Sequence, residues 1–179
     1  LELCRDIAQE FNNDFKVDNF FIQPEPLIQK EFSRIMSLKD GKKKMSKSDI
    51  SDLSRVNLMD GKDEIINKIK KAKTDSLQLP ENEDELNERP EAKNLIGIYS
   101  SLTDSTVKNS LKEFSGKNFS ELKESLSQVL VDKIEPISSE IKKLLDDKNY
   151  LDKILVEGCK KADEIASRKM KKIHKIVGF

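Results

Sequence analysis

The stretch that decides the reading is Lys42-Lys43-Lys44-Met45-Ser46-Lys47-Ser48-Asp49. Four lysines and two hydroxyls stand within eight residues, just after Gly41 and a short apolar run. Residues 32–38 of that run (Phe-Ser-Arg-Ile-Met-Ser-Leu) suit a strand, and Lys39 to Ser48 then reads as a polar loop. Lysine is a compact cation on a flexible stem and follows a phosphate as it moves. Serine hydroxyls hold the loop's own backbone or donate to oxygens. Such a loop suits the stabilisation of charge building on a departing pyrophosphate, where losing one donor costs about 3 kcal/mol. Composition alone leaves a second reading open, a solvated lysine-rich turn.

Working outward, residues 1–12 form an amphipathic pattern with Leu3, Cys4, Ile7, Ala8 and Phe11 on one face. Residues 15–29 are irregular, broken by Pro24 and Pro26. Residues 54–59 suit a brief extended stretch. Asp60 then reads as the N-cap of a helix running to about Lys73 and burying Ile65, Ile66, Ile69 and Ala72, with Glu64 and Lys68 as a surface pair. Residues 74–89 are acidic and lack apolar periodicity, the pattern of a mobile connector. From Pro90 onward everything is helical: Leu95, Ile98, Tyr99 and Leu102; then Val107, Leu111 and Phe114; then a long stripe from Leu122 to Leu144 capped by Ser120 and kinked at Pro136; then a last helix from about Tyr150 to Val177. That last helix carries Leu151, Ile154, Leu155, Ala162, Ile165, Ala166, Ile173 and Val177 as its inner stripe. Short turns join these helices, as in a bundle of antiparallel neighbours.

The 33 basic and 33 acidic residues cancel, but not locally. Residues 34–75 hold twelve bases against seven acids, residues 76–92 one base against six acids, and residues 153–179 eight bases against three acids. Two basic regions attractive to phosphate therefore flank an acidic link. Six glycines and five prolines exclude collagen-like repeats, and no apolar run is long enough to span a membrane. Cys4, Cys159 and His174, the only cysteines and the only histidine, have no metal-ligand spacing, so no metal site is expected and the thiols read as free and at least half-buried. The first residue is Leu1, already within a helical pattern, which reads as a piece of something longer.

Lys44-Met45-Ser46-Lys47-Ser48 is the complete KMSKS signature of class I aminoacyl-tRNA synthetases. Arg34 to Leu38, Asp49, Ile69 to Ser76, Arg89 to Tyr99, the opening Leu1 to Ala8 and the Ala162 to Met170 region all resemble bacterial-type tryptophanyl-tRNA synthetases. That resemblance implies a mainly α fold: residues 1–60 as the C-terminal edge of a Rossmann-like α/β catalytic domain, and residues 61–179 as a helical anticodon-binding domain. It implies ATP-dependent activation of tryptophan to the adenylate, then transfer to tRNA(Trp), with Mg2+ carried by the nucleotide. Lys44 and Lys47 become the catalytic residues, holding the ATP phosphates and the leaving pyrophosphate. Ile35, Met45, Ser46, Lys47 and Ser48 become the nucleotide-binding set. Gly41 is expected to soften the approach to a moving loop. The loop departs from many relatives in having Gly41-Lys42 in place of Pro-Thr, and Ile50-Ser51-Asp52 in place of an Asn-Pro stretch. The family's histidine-rich signature and most of its tryptophan pocket would precede Leu1, so this chain alone is expected not to form adenylate. The parent would be a cytoplasmic homodimer, and this piece a monomer. The alternatives are a non-enzymatic RNA-binding helical module and a synthetase for tyrosine.

Overall fold

The structure is a computed structural model, and it describes residues 1–27 and 34–179. It is mainly α, in the order α1 (Glu2–Asp14), β1 (Met36–Ser37), β2 (Asp40–Lys44), α2 (Lys62–Lys70), α3 (Glu83–Glu88), α4 (Pro90–Leu102), α5 (Val107–Phe114), α6 (Phe119–Asp146) and α7 (Lys148–Val177), with a 3-10 turn at Asp52–Ser54. The two strands pair antiparallel, Met36 opposite Lys44 and Ser37 opposite Asp40. Residues fall into two compact units, Lys30–Asp146 on one hand and Leu1–Gln29 with Asp147–Phe179 on the other.

In the unit Lys30–Asp146, α6 packs on α2 and α4, α5 packs on α4, and the hairpin leans on α4. Ile65, Ile69, Leu95, Ile96, Leu111, Phe114, Leu122 and Leu126 are wholly enclosed and form the centre of the core. Each such side chain contributes about 1.5–3 kcal/mol by leaving water. The helical stripes of α4, α5 and the first half of α6 therefore bury as their spacing requires. Beyond Ile134 the stripe of α6 loses its cover, and Ile137 and Leu145 are exposed. The α6 helix runs through Pro136 without interruption.

Three local expectations are corrected. Residues 74–89 are folded down, not a free connector. Leu79 and Leu86 are buried, and Leu79 exchanges backbone hydrogen bonds with the turn after α5, its N–H donating to Lys117 O at 2.9 Å and its carbonyl accepting from Gly116 N–H at 3.2 Å. Asn82 caps α3 by accepting from Glu85 N–H, and Arg89 clasps Asp75 through two donors at 2.9 and 2.6 Å. Sparse apolar residues at long spacing carry this anchoring, so periodicity could not reveal it. Second, Gly61 and not Asp60 is the N-cap of α2. Glu64 reaches back to the Gly61 N–H at 2.8 Å instead of pairing with Lys68. Third, Lys68 is buried, 3 % exposed, and bridges Asp52 and Asp60 at 2.6 Å each. Lys123 on α6, which the sequence did not single out, donates to Lys70 O and Ala72 O at the end of α2, where free carbonyls accumulate. Burial pushes the Lys123 ammonium below its usual value.

In the other unit, Asn12 on α1 ties back the following segment, donating to Phe21 O and accepting from Phe21 N–H. Phe11, Phe15, Phe20 and Phe21 cluster, and Lys169 of α7 stands over the Phe20 and Phe21 rings and donates to Phe20 O. Of the α1 stripe only Ala8 is buried, and α7 buries none of its residues. Ile154, Leu155 and Ile165, expected inward, are exposed. Cys4 and Cys159 are free as expected but exposed, not buried. Phe32 and Ser33, the start of the expected strand, lie outside the described residues.

Candidate functional site

The hairpin is fixed at its turn and open at its other end. Leu38, 2 % exposed, plugs the turn into the core. Its N–H donates to Ser54 O at 2.9 Å and its carbonyl accepts from Lys73 N–H at 2.7 Å. Asp40 Oδ1 accepts from Lys42 N–H, tightening the start of β2. Lys42, Lys43 and Lys44 are thus strand residues, not loop residues. The expected polar loop is a hairpin whose second strand is lysine-rich, and strand pairing, not side-chain pattern, makes it one.

Gly41 has a role different from the expected flexible hinge. It is buried against the first turn of α4, and a Cβ there would meet the Pro90 carbonyl carbon at 2.6 Å and Glu91 N at 2.7 Å. Its lack of a side chain permits close approach between hairpin and helix. Asn94, one turn further along α4, holds β1 from the same side through the Met36 peptide. Glu91 pairs with Lys73 at 2.9 Å. The Lys73 ammonium holds the Glu91 carboxyl below its usual value, and Glu91 raises Lys73 in return.

At the open end the sequence-chosen residues come together. Met45 N–H donates to Ile35 O at 3.0 Å, extending the ladder by one step. Met45 is half-buried with its side chain against the core, while Ile35 is exposed. Ser46 Oγ and Ser48 Oγ are 3.0 Å apart, and Ser46 Oγ accepts from Ser48 N–H. Asp49 N–H donates to Ser46 O at 3.3 Å and closes the turn. The two hydroxyls therefore shape the loop. Lys44 and Lys47 are exposed and make no ion pair among the described residues. Two such ammonium groups, Lys44 before a serine-braced turn and Lys47 within it, can receive anionic oxygens without first breaking an ion pair among the described residues.

The segment leaving the loop is equally tied. Asp49 Oδ1 accepts from Ser51 N–H, and Arg55 reaches back to Asp49 O and Ser51 O. Asn57 donates to Asp52 and Asp60, and Lys68 joins these two carboxylates from α2. The Lys68 hydrogen bond is the main reason that Asp52 sits below the usual carboxylate range. Burial alone would depress the Lys68 ammonium, but the two carboxylates outweigh it and hold it above its usual value. Sequence reasoning missed Arg55, Lys68 and Asn94. Their surroundings depend on residues up to 58 positions away, as with Asn94 and Met36. Among the described residues no group of three or more His, Cys, Asp or Glu side chains could hold a metal ion, and no helix is long and apolar enough to cross a membrane.

A mainly α chain bearing an exposed lysine–serine loop at the open end of a short hairpin has the build of a class I tRNA synthetase. Residues 1–134 match the family described as tRNA synthetases class I (W and Y), and the chain belongs to that family. It is 47% identical over 197 residues to the tryptophan--tRNA ligase of Brucella melitensis, covering 100% of this chain and 56% of that protein. Identity is also 47% to the tryptophan--tRNA ligase of Caulobacter vibrioides, over 179 residues, 100% of this chain and 52% of that protein. The fold resembles a crystal structure of tryptophanyl-tRNA synthetase from Mycoplasma pneumoniae, with a TM-score of 0.83 and 26% identity over 99% of this chain and 52% of that one. The Campylobacter jejuni tryptophanyl-tRNA synthetase complexed with ADP and tryptophan gives a TM-score of 0.66 and 25% identity over 99% of this chain and 53% of that chain. The chain spans about half the length of the curated relatives it matches.

Proposed function

We propose that this chain supplies the pyrophosphate-side wall of the ATP site and the tRNA-binding helices of a tryptophan--tRNA ligase. The observation that carries the reading is the open loop Lys44–Ser48, with two lysines that make no ion pair among the described residues and a hydroxyl-braced turn on a hairpin fixed at its far end. ATP is the nucleotide, and Mg2+ arrives with its phosphates. Lys44 and Lys47 grip the phosphates and neutralise charge on the pyrophosphate as the α-phosphorus passes to the tryptophan carboxylate. Ser46 and Ser48 keep the turn in shape. The backbone at Ile35 and Met45 lies beside the nucleoside. Tryptophan then passes from the adenylate to the ribose of tRNA(Trp).

Residues 1–60 act as the C-terminal part of the Rossmann-like catalytic domain and residues 61–179 as the anticodon-binding domain. The enzyme works in the cytoplasm as a homodimer. Family membership and the tryptophan--tRNA ligase identity of its relatives support this reading over a non-catalytic RNA-binding module, which would have no use for the loop. The test is tryptophan-dependent exchange of pyrophosphate into ATP by a full-length ligase carrying this chain, alongside charging of tRNA(Trp). The full-length protein should exchange with tryptophan and not tyrosine, and the 179-residue chain alone should not exchange. Exchange driven by tyrosine, or none at all in the full-length protein, would refute the assignment.

A further inference from the structure

We propose that Arg55 is a positioning residue for the phosphate loop: it sets the place of Lys47 by gripping the loop's exit backbone, and does not bind phosphate itself. This rests on reading Lys44–Ser48 as the ATP-phosphate loop. Arg55 follows the 3-10 turn Asp52–Ser54, in extended backbone, and its side chain is 17% exposed. Every nitrogen of its guanidinium is engaged within the chain. Nε donates to Asn57 Oδ1 at 3.1 Å, Nη1 donates to Asp49 O at 3.1 Å and Ser51 O at 3.4 Å, and Nη2 pairs with Asp52 Oδ1 at 3.0 Å. A cation turned inward on this set of acceptors is badly placed to bind an incoming anion.

It is well placed to transmit position. The gripped residue, Asp49, closes the loop by donating from its N–H to Ser46 O, so moving Asp49 moves the turn that carries Lys47. The other end of the grip is firm. Asp52 Oδ2 is 2.6 Å from the buried Lys68 ammonium, which α2 holds and which also meets Asp60 at 2.6 Å. The path runs from a core helix through two ion pairs and one hydrogen bond to Asp49, the residue that closes the loop. Guanidinium is planar and holds several acceptors in fixed directions, whereas an ammonium in its place would keep the charge but lose the fork.

The experiment measures tryptophan-dependent ATP–pyrophosphate exchange in a full-length ligase carrying this chain, with Arg55→Lys and Arg55→Gln. Both variants should raise the KM for ATP about tenfold and lower kcat, because misplaced lysines lose transition-state contacts. The KM for tryptophan should stay unchanged. Asp52→Asn, at an exposed side chain, weakens the same grip from its far end and should shift the ATP KM in the same direction by less. This second variant keeps the test decisive if the Arg55 variants fail to fold. An unchanged ATP KM, or parallel rises in both KM values, overturns the role of Arg55 alone. Absence of tryptophan-dependent exchange in the unsubstituted protein overturns the functional reading and this inference with it.

Discussion

The side chain of Asn94 on α4 pairs with the peptide of Met36 as a neighbouring strand would: Oδ1 accepts from Met36 N–H at 2.9 Å, and Nδ2 donates to Met36 O at 2.8 Å. Met36 in turn lies opposite Lys44 in the hairpin, so a helix side chain 58 residues away completes the edge on which the lysine–serine loop is mounted. Asn94 is 4% exposed, and its loss leaves Met36 short of two partners. Asn94→Ala should cost about 1–3 kcal/mol, read as a lower urea midpoint for unfolding. Asn94→Asp tests the geometry further. It keeps the acceptor but sets a carboxylate against the Met36 carbonyl, so it should be the less stable variant at neutral pH and recover on acidification as the acid gains a proton to donate. Equal stability of Asn94→Asp and the parent at neutral pH would remove this account.

Gly41 and Gly158 make opposite predictions for the same substitution. At Gly41 a methyl group would overlap the backbone of Pro90 and Glu91, atoms that cannot turn aside as a side chain would. Gly41→Ala should therefore destabilise by about 1–3 kcal/mol through forced separation of β2 and α4. Gly158 lies within α7 and, among the described residues beyond its own helix turn, has nothing within 4 Å of the added carbon. Gly158→Ala should stabilise α7 by about 0.5–1 kcal/mol through reduced backbone entropy of the unfolded chain. Thermal melts of the two variants followed by circular dichroism compare them directly.

Acid should weaken the contacts around α4. Glu91 is held below its ordinary value of 4.5 chiefly by its hydrogen bond to Lys73. Asp75 is held below 3.8: burial, the largest effect, works upward, but Arg89 and the Leu77 N–H outweigh it. A carboxyl whose folded pKa lies below its unfolded value contributes stability that is complete above the unfolded value and lost as pH falls through the folded one. Stability should decline from about pH 4.5 downward, Glu91 responding first. Glu91→Gln together with Asp75→Asn should make that limb shallower between pH 4.5 and 3, leaving the part that Asp52 contributes through Lys68. Unfolding midpoints measured across this range supply the check, and an unaltered acid limb in the double variant would contradict it.

How much of this was legible in the sequence depends on where each signal is carried. Stripes such as Leu95–Ile98–Leu102 and Leu122–Leu126–Val129 fix helices because the period that makes a helix also makes its buried face, and α4 and α6 formed with little displacement of their ends. The lysine–serine string Lys44–Ser48 stands out in the sequence because its residues are contiguous. The hairpin was not: β2 reads Asp-Gly-Lys-Lys-Lys, a poor strand by propensity, and pairs because Leu38 and Gly41 dock it on distant elements. Lys68 looked like a surface lysine because i,i+4 spacing from Glu64 is a local rule, while its real partners, Asp52 and Asp60, precede the helix. Arg89 shows the same thing in reverse, since its clasp of Asp75 turns an acidic stretch that lacks periodicity into a packed one.

Lys44 and Lys47 are the sharpest test of the site because exposure separates their chemistry from folding. Both side chains face solvent and pair with no carboxylate among the described residues. Lys44→Ala and Lys47→Ala should accordingly shift stability by no more than about 0.5 kcal/mol. In a full-length ligase each should lower kcat for tryptophan-dependent exchange by about 100-fold, the loss of one donor aimed at developing charge. Ser48→Ala breaks the hydroxyl contact and Ser46→Ala also removes the acceptor of Ser48 N–H, and both should lower it less. Arginine at either position retains charge but cannot follow a moving phosphate as a compact ammonium does, so Lys47→Arg should recover ATP binding more than turnover. Full exchange activity in Lys47→Ala, with its urea midpoint unchanged, would show that the loop's exposed lysines are solvated charges and nothing more.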